Sequence, residues 1–334
     1  VDNPARTGAG FGTVDRVTSS HDLRLPPGQL DLVRRELDLH AGTVTSADLH
    51  RLGVGPDGVR RLVAAGVLRR VGRSAFVDGD RHERADPAGR HVLRATAVAR
   101  TWPPDVLVSH TSAALMLGLP LTVVPDRVHG CRRGDGQHRR RAGSTIHTGY
   151  TDARHTTVHG VEVLEPVLVV MGVAQLRGRD EAVVVGDAAL HRQLVTHDAL
   201  RTAAVTRPHH PVHATFVRAV DLMDARTESP GETLSRLLLR GLGHTPVPQV
   251  VVRDELGAVI GRVDFLLQGT RVIVEFDGMV KYASPDALVR EKRREIRLQR
   301  AGYVVVRLIW SDLSRPERVR SLVEAALATA RRAG

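Results

Sequence analysis

The sequence predicts a multidomain α/β chain: an N-terminal winged helix-turn-helix, a middle mixed α/β domain, and a C-terminal α/β core on a mixed sheet. Three observations predict it. Helical periodicity over residues 28–66 passes directly into a short ribbon at 68–77. Brief helix and strand patterns then interchange over 81–224. From Ser229 onward come a leucine-striped helix, a strand, a hairpin, a basic helix, an apolar strand and a last helix. At 334 residues the chain is too long for one ordinary domain, and the parts are expected at 1–27, 28–80, 81–224 and 225–332.

Composition narrows the function. The net charge of +11 comes almost wholly from arginine and favours a polyanionic partner, DNA above all, over an acidic small molecule. Lys281 and Lys292 are the only lysines. Cys131 stands alone, which excludes an intrachain disulfide and cysteine-rich zinc sites and fits a cytoplasmic setting. No signal-peptide pattern opens the chain. Its most apolar run, 161–174, is broken by Glu165 and Pro166, so no membrane span is expected.

Residues 1–27, rich in Gly, Thr, Ser and Asp, are expected to form a flexible arm. Leu30, Leu32, Val33 and Leu37 then recur at helical spacing, and Thr45 with Asp48 three places on marks the cap of a second, short helix. Pro56 starts a third, with Val59, Leu62 and Val63 inward, Arg60 and Arg61 outward, and Gly66 as its stop. Two short strands around Gly72-Arg73-Ser74 complete the wing. If the module binds DNA, Arg60 and Arg61 enter the major groove while Arg69, Arg70 and Arg73 reach phosphates; otherwise these arginines are a solvated face or a protein contact.

In the middle region, helices are expected at 91–100, 111–117 and 180–194, and strands at 145–147 and 161–164. Arg132, Arg133 and Arg139 to Arg141 fall in an expected exposed loop. His110 reads as a packed core residue. His209, His210 and His213, set among prolines, read as linker rather than metal ligands.

Ser229, Pro230 and Glu232 form a capping box for the helix whose buried stripe is Leu234, Leu237, Leu238 and Leu242. A strand at 247–252 leads to the hairpin. There Gly269-Thr270 suits a two-residue turn and sets Phe265 opposite Val274, Val263 opposite Phe276 and Leu267 opposite Val272, an apolar face. The other face sets Asp264 against Glu275 and Arg262 against Asp277. Facing carboxylates repel, which leaves two readings: Mg²⁺ or Mn²⁺ between them, or one carboxylate leaning into solvent or pairing with Arg262 or Lys281. A helix from Ser284-Pro285 carries Arg290, Arg293, Arg294, Arg297 and Arg300 outward. An apolar run at 303–309 reads as a central strand, and a helix from Pro316 covers the sheet.

Two resemblances add to this. Residues 28–80 resemble the N-terminal module of AbiEi-type antitoxins of type IV toxin-antitoxin systems, although Ala75-Phe76 replaces the usual glycine-aromatic ending of the wing. The phrases VSHTSAALMLGLP and GDAALHR are similar to the middle region of the same proteins. The last third, with Asp264-Phe265, Glu275-Phe276-Asp277-Gly278, Glu291-Lys292-Arg293-Arg294 and Gly302-Tyr303-Val304-Val305-Val306-Arg307, resembles the PD-(D/E)XK core of very-short-patch-repair endonucleases. That resemblance implies a restriction-endonuclease-like fold. It also implies Mg²⁺ or Mn²⁺ on Asp264, Glu275 and Asp277, with Glu232 joining from the first helix. Lys281 or Lys292 would supply the catalytic charge, and Tyr282, Arg290 and Arg294 would position the strand. The lysine usual two places after the glutamate is here Asp277. Two functions follow as expectations: a metal-dependent DNA endonuclease or nickase, or a non-catalytic DNA-binding regulator of a toxin-antitoxin-like system with a degenerate nuclease core.

Overall fold

The structure, a computed structural model, describes residues 24–134, 137–150, 153–278 and 285–333. The arm expected at 1–27 lies outside the described residues up to position 23, as do Lys281 and Tyr282. The chain is a mixed α/β protein, divided between Thr101 and Trp102 into two compact units.

The first unit begins with α1 (Gln29–Leu39), which buries Leu30, Val33 and Leu37. Leu32 lies off that i, i+3, i+7 stripe and is 45% exposed, so it leaves the expected core. β1 (Thr43–Thr45), too short to show alternation, feeds α2 (Ser46–Arg51). Thr45 and Asp48 close the capping box: the Asp48 amide donates to Thr45 Oγ1 (3.2 Å) and the Thr45 amide to Asp48 Oδ2 (2.9 Å). α3 (Pro56–Ala64) ends before Gly66, whose φ of 77° suits glycine. β2 (Leu68–Gly72) and β3 (Ala75–Asp78) form the wing in a sheet of order β1-β3-β2. Leu30, Val33, Leu37, Leu49, Leu62, Leu68 and Phe76 share one core.

α4 (Gly79–Arg84) and α5 (Pro87–Ala99) belong to this unit, although sequence ended the module at residue 80. Ala97, Leu93 and Val98 of α5 pack on Ala75 and Val77, and Arg100 Nη2 donates to Asp48 Oδ2 at 2.7 Å. Burial pushes the Asp48 carboxyl up, but the Thr45 bonds and Arg100 outweigh it and hold the group below the usual carboxylate range.

The second unit opens with β4 (Val106–Val108), α6 (His110–Met116), β5 (Val128–Arg132), β6 (Arg139–Arg141), β7 (Ser144–His147), β8 (His155–Val158) and β9 (Val161–Leu164). Their mixed sheet runs β6-β7-β5-β4-β9-β8. Arg139 to Arg141, expected in a loop, form the exposed edge strand β6. Arg132 lies on β5 and pairs with Asp105, and Arg133 pairs with Glu162. His110 is core, as expected: its Nδ1 lies 2.8 Å from Ser109 Oγ, its ring stacks on His147, and burial holds its pKa well below the usual value. The helix read from Asp180 is the second half of α7 (Pro166–His191), which breaks at Gly178 (φ 82°, ψ −169°), a backbone state that glycine alone adopts readily. α8 (His197–Thr206) and α9 (His213–Val220) follow; His209 and His210 lie in the turn between them.

The rest of this unit is α10 (Pro230–Gly241), β10 (Pro246–Arg253), β11 (Val259–Leu267), β12 (Val272–Phe276), α11 (Pro285–Arg300), β13 (Val304–Leu308), α12 (Trp310–Leu313) and α13 (Pro316–Ala333). The sheet order is β10-β11-β12-β13, with β13 parallel to β12 through the α11 crossover and the other pairs antiparallel. β13 is therefore an edge strand and not the central one, covered on its two faces rather than flanked. Leu239, Phe265, Val274, Leu308, Val319 and Val323 make one layer of core; Val252, Ile260, Val263, Ile273 and Leu298 make the other.

α10 departs from its expected stripe. Thr233, Ser235, Arg236 and Leu239 are fully buried, while Leu234, Leu237, Leu238 and Leu242 are half-buried. The helix turns this polar side toward α7, where Asp187 Oδ2 accepts from Arg236 Nη2 (2.7 Å) and Thr233 Oγ1 (2.8 Å). This buried pair ties α10 to α7.

Candidate functional site

The winged unit presents its basic residues unequally. Arg60 is exposed on α3 and pairs with Asp57 one turn back; Arg69 and Arg73 are exposed on the wing. Arg61, expected outward beside Arg60, is half-buried, and its Nη2 reaches the Arg24 carbonyl at 3.4 Å. The Arg70 guanidinium lies over the Phe76 ring, 4.6 Å from its centroid, so it supports the wing as well as charging it. An exposed arginine one turn into α3 together with a basic wing can contact a phosphate backbone.

In the second unit, the hairpin register is as expected, with Phe265 opposite Val274 and Leu266 opposite Ile273. The turn is longer than two residues: Thr270 N–H donates to the Leu267 carbonyl (3.1 Å), and Gly269 takes φ 73°. Val263 does not join Phe265 but packs with Ile273 in the other layer. The change of face accompanies Gln249, which breaks β10 at φ 57° between the pairs Pro248–Phe265 and Val250–Val263.

Around this break the carboxylates gather. Asp264 Oδ2 accepts from the Phe276 amide at 2.8 Å. Burial, then the charges of Glu232 and Glu275, push the Asp264 carboxyl up to about 6. Glu232 does not bond back to its serine cap as a capping box would; its Oε2 accepts from the Glu228 amide (3.0 Å) and Gln249 Nε2 (2.9 Å). Glu275 is gripped by Arg294 of α11 and faces Arg307 across the parallel ladder, Nε to Oε2 at 4.0 Å. Arg262, expected on Asp277, pairs with Glu228 at 2.8 Å, while the Asp277 amide donates to the Leu308 carbonyl. On α11, Lys292, Arg290, Arg293, Arg297 and Arg300 are exposed, and Arg294 is turned inward.

Mg²⁺ or Mn²⁺ is the group that the resemblance implies here, and the donors as placed do not fit it. Oxygens of Asp264, Glu232 and Glu275 already serve the Phe276 amide, the Glu228 and Gln249 donors and two arginines. Among the described residues no three His, Cys, Asp or Glu side chains stand where they could hold one ion. Sequence missed Arg294 and Arg307 as the partners of Glu275. The parallel register of β12 and β13 sets Arg307 opposite it, but that pairing shows only once the crossover is known.

Two variants probe this arrangement. A Cβ at Gly231 would fall inside the Phe276 ring, so Gly231→Ala is expected to destabilise the unit by about 2 kcal/mol; thermal melts followed by tryptophan fluorescence read this, and a change under about 0.5 kcal/mol contradicts the packing. The Asp264 pKa of about 6 lies above its ordinary 3.8, so its contribution to stability is complete below the lower value and is lost as pH rises through the upper. Asp264→Asn keeps an acceptor for Phe276 and removes the charge. It is expected to gain about 1 kcal/mol at pH 7, discounted for partial exposure, and none at pH 4; equal gains at both pH values contradict the shift.

The comparisons with known proteins fall on both units unequally. Over 184 residues the chain is 27% identical to the uncharacterized proteins MT2308 and Rv2248 of Mycobacterium tuberculosis (strains CDC 1551 / Oshkosh and ATCC 25618 / H37Rv), covering 54% of this chain and 68% of each relative. Among the described residues no helix is long and apolar enough to cross a membrane. Residues 31–77, which span α1 to the wing, match the sequence model of a family described as transcriptional regulator, AbiEi antitoxin.

Proposed function

We propose that the protein is a DNA-binding transcriptional regulator of the antitoxin type, docking on duplex DNA through its winged helix-turn-helix. The observation that carries this reading is the match of residues 31–77 to the regulator family over the same elements that build the wing and α3. In it, α3 enters the major groove with Arg60 leading, and Arg69 and Arg73 hold phosphates of the flanking backbone. A toxin partner belongs to the setting that the family description implies. The nuclease-like part acts as a basic clamp, with the exposed arginines of α11 along the duplex. Selection from a random-sequence duplex pool tests this: the full chain is expected to enrich a discrete motif and Arg60→Ala to blur it, whereas retention of unselected sequence overturns the reading.

The endonuclease reading draws on a different observation. Glu232, Asp264 and Glu275 come from three elements, close enough that the charges of Glu232 and Glu275 add to the effect of burial in raising the pKa of Asp264. Cleavage would require the carboxylate oxygens to be released from Arg294 and the backbone donors, with a lysine such as Lys281 or Lys292 steadying the phosphate charge. Nicking of supercoiled plasmid in Mg²⁺ or Mn²⁺ that disappears in Asp264→Ala would establish it.

A further inference from the structure

We propose that Arg294 is the resident cation of the acidic hairpin, holding Glu275 in the role that a divalent ion would otherwise fill, so that the C-terminal core needs no metal. The carboxylates of Glu232, Asp264 and Glu275 lie near enough to act on one another, and the geometry supplies a positive charge from within the chain. Arg294 reaches across from α11: its Nη2 donates to Glu275 Oε1 and to the Arg262 carbonyl (3.1 Å), while its Nη1 donates to Glu291 Oε1 (3.1 Å). One planar guanidinium thus ties helix α11 to both strands of the hairpin, which a point-charged lysine does less well.

The lane it occupies is built for it. A Cβ at Gly261 of β11 would sit 2.9 Å from Arg294 Nε, so the strand is bare of side chain where the guanidinium crosses. The side chains of Arg294 and Glu275 are 22% and 14% exposed, in contrast to the exposed arginines elsewhere on α11. Arg307 completes the neutralisation, with Nη2 3.0 Å from Glu291 and 3.3 Å from Glu295. The pair lies in a partly desolvated place, where removing one partner leaves the other's charge uncompensated.

Without the guanidinium, Glu275 keeps only Arg307, whose Nε lies 4.0 Å away, as counter-charge beside Asp264 and Glu232, and an added divalent ion can take the place that Arg294 leaves. Melting of the full chain is followed in EDTA and in Mn²⁺. The parent protein is expected to melt at the same temperature in both. Arg294→Ala is expected to melt several degrees lower in EDTA and to recover in Mn²⁺, and Arg294→Ala with Glu275→Gln to gain nothing from the ion. Arg294→Ala melting like the parent, or failing to recover in Mn²⁺, overturns the proposal.

Calorimetric titration of the parent with Mn²⁺ keeps the test independent of how the variants fold. No binding heat supports the proposal; a heat lost in Glu275→Gln overturns it. The inference stands apart from the DNA reading, since failure to bind DNA would leave these melts unchanged.

Discussion

Asp187→Ala is expected to destabilise the second unit by about 3–5 kcal/mol, because it strands the Arg236 guanidinium inside the protein. The Asp187 side chain is 1% exposed and that of Arg236 2%, and the carboxylate accepts from Arg236, from Thr233 and from the Asp224 amide at 2.7 Å. Both tryptophans, Trp102 and Trp310, lie in this unit, so their fluorescence in a denaturant titration reports it separately from the winged unit. Asp187→Ala with Arg236→Met removes both charges and is expected to regain most of the loss. A single variant within about 1 kcal/mol of the parent would show that the pair does not hold α10 to α7.

The second large effect concerns DNA. Combining Arg60→Ala, Arg69→Ala and Arg73→Ala is expected to weaken duplex binding by at least about tenfold and to flatten its salt dependence by about 0.9 in logarithmic slope for each phosphate contact removed. Arg61 and Arg70 are left in place because one is half-buried against the Arg24 carbonyl and the other covers Phe76, so replacing them would disturb the module itself. Anisotropy titrations over a range of salt read both quantities. An unchanged slope in the triple variant would move the DNA contact away from α3 and the wing.

Much of the fold was legible because local rules decided it. The Thr45–Asp48 cap, Pro56 at the start of α3, the alternation of the hairpin and the serine-proline entry to α10 each carry their own physical cause. What sequence missed was set by tertiary partners. β1 is three residues long and exists because β3 pairs with it. The polar buried side of α10 makes sense only beside Asp187 of α7, and the edge position of β13 follows from the crossover. At the acidic site, sequence brought Asp264 and Glu275 together and offered a cation between them as one of two readings. It did not reveal that an arginine of α11 lies against them, since Arg294 differs from its exposed neighbours only by its direction on the helix.

The most direct test of the account is an anisotropy titration of the full chain with a duplex recovered by selection, run in EDTA and again in Mg²⁺. The account predicts the same affinity in both and an intact duplex at the end. Binding or strand scission that appears only with Mg²⁺ would contradict it.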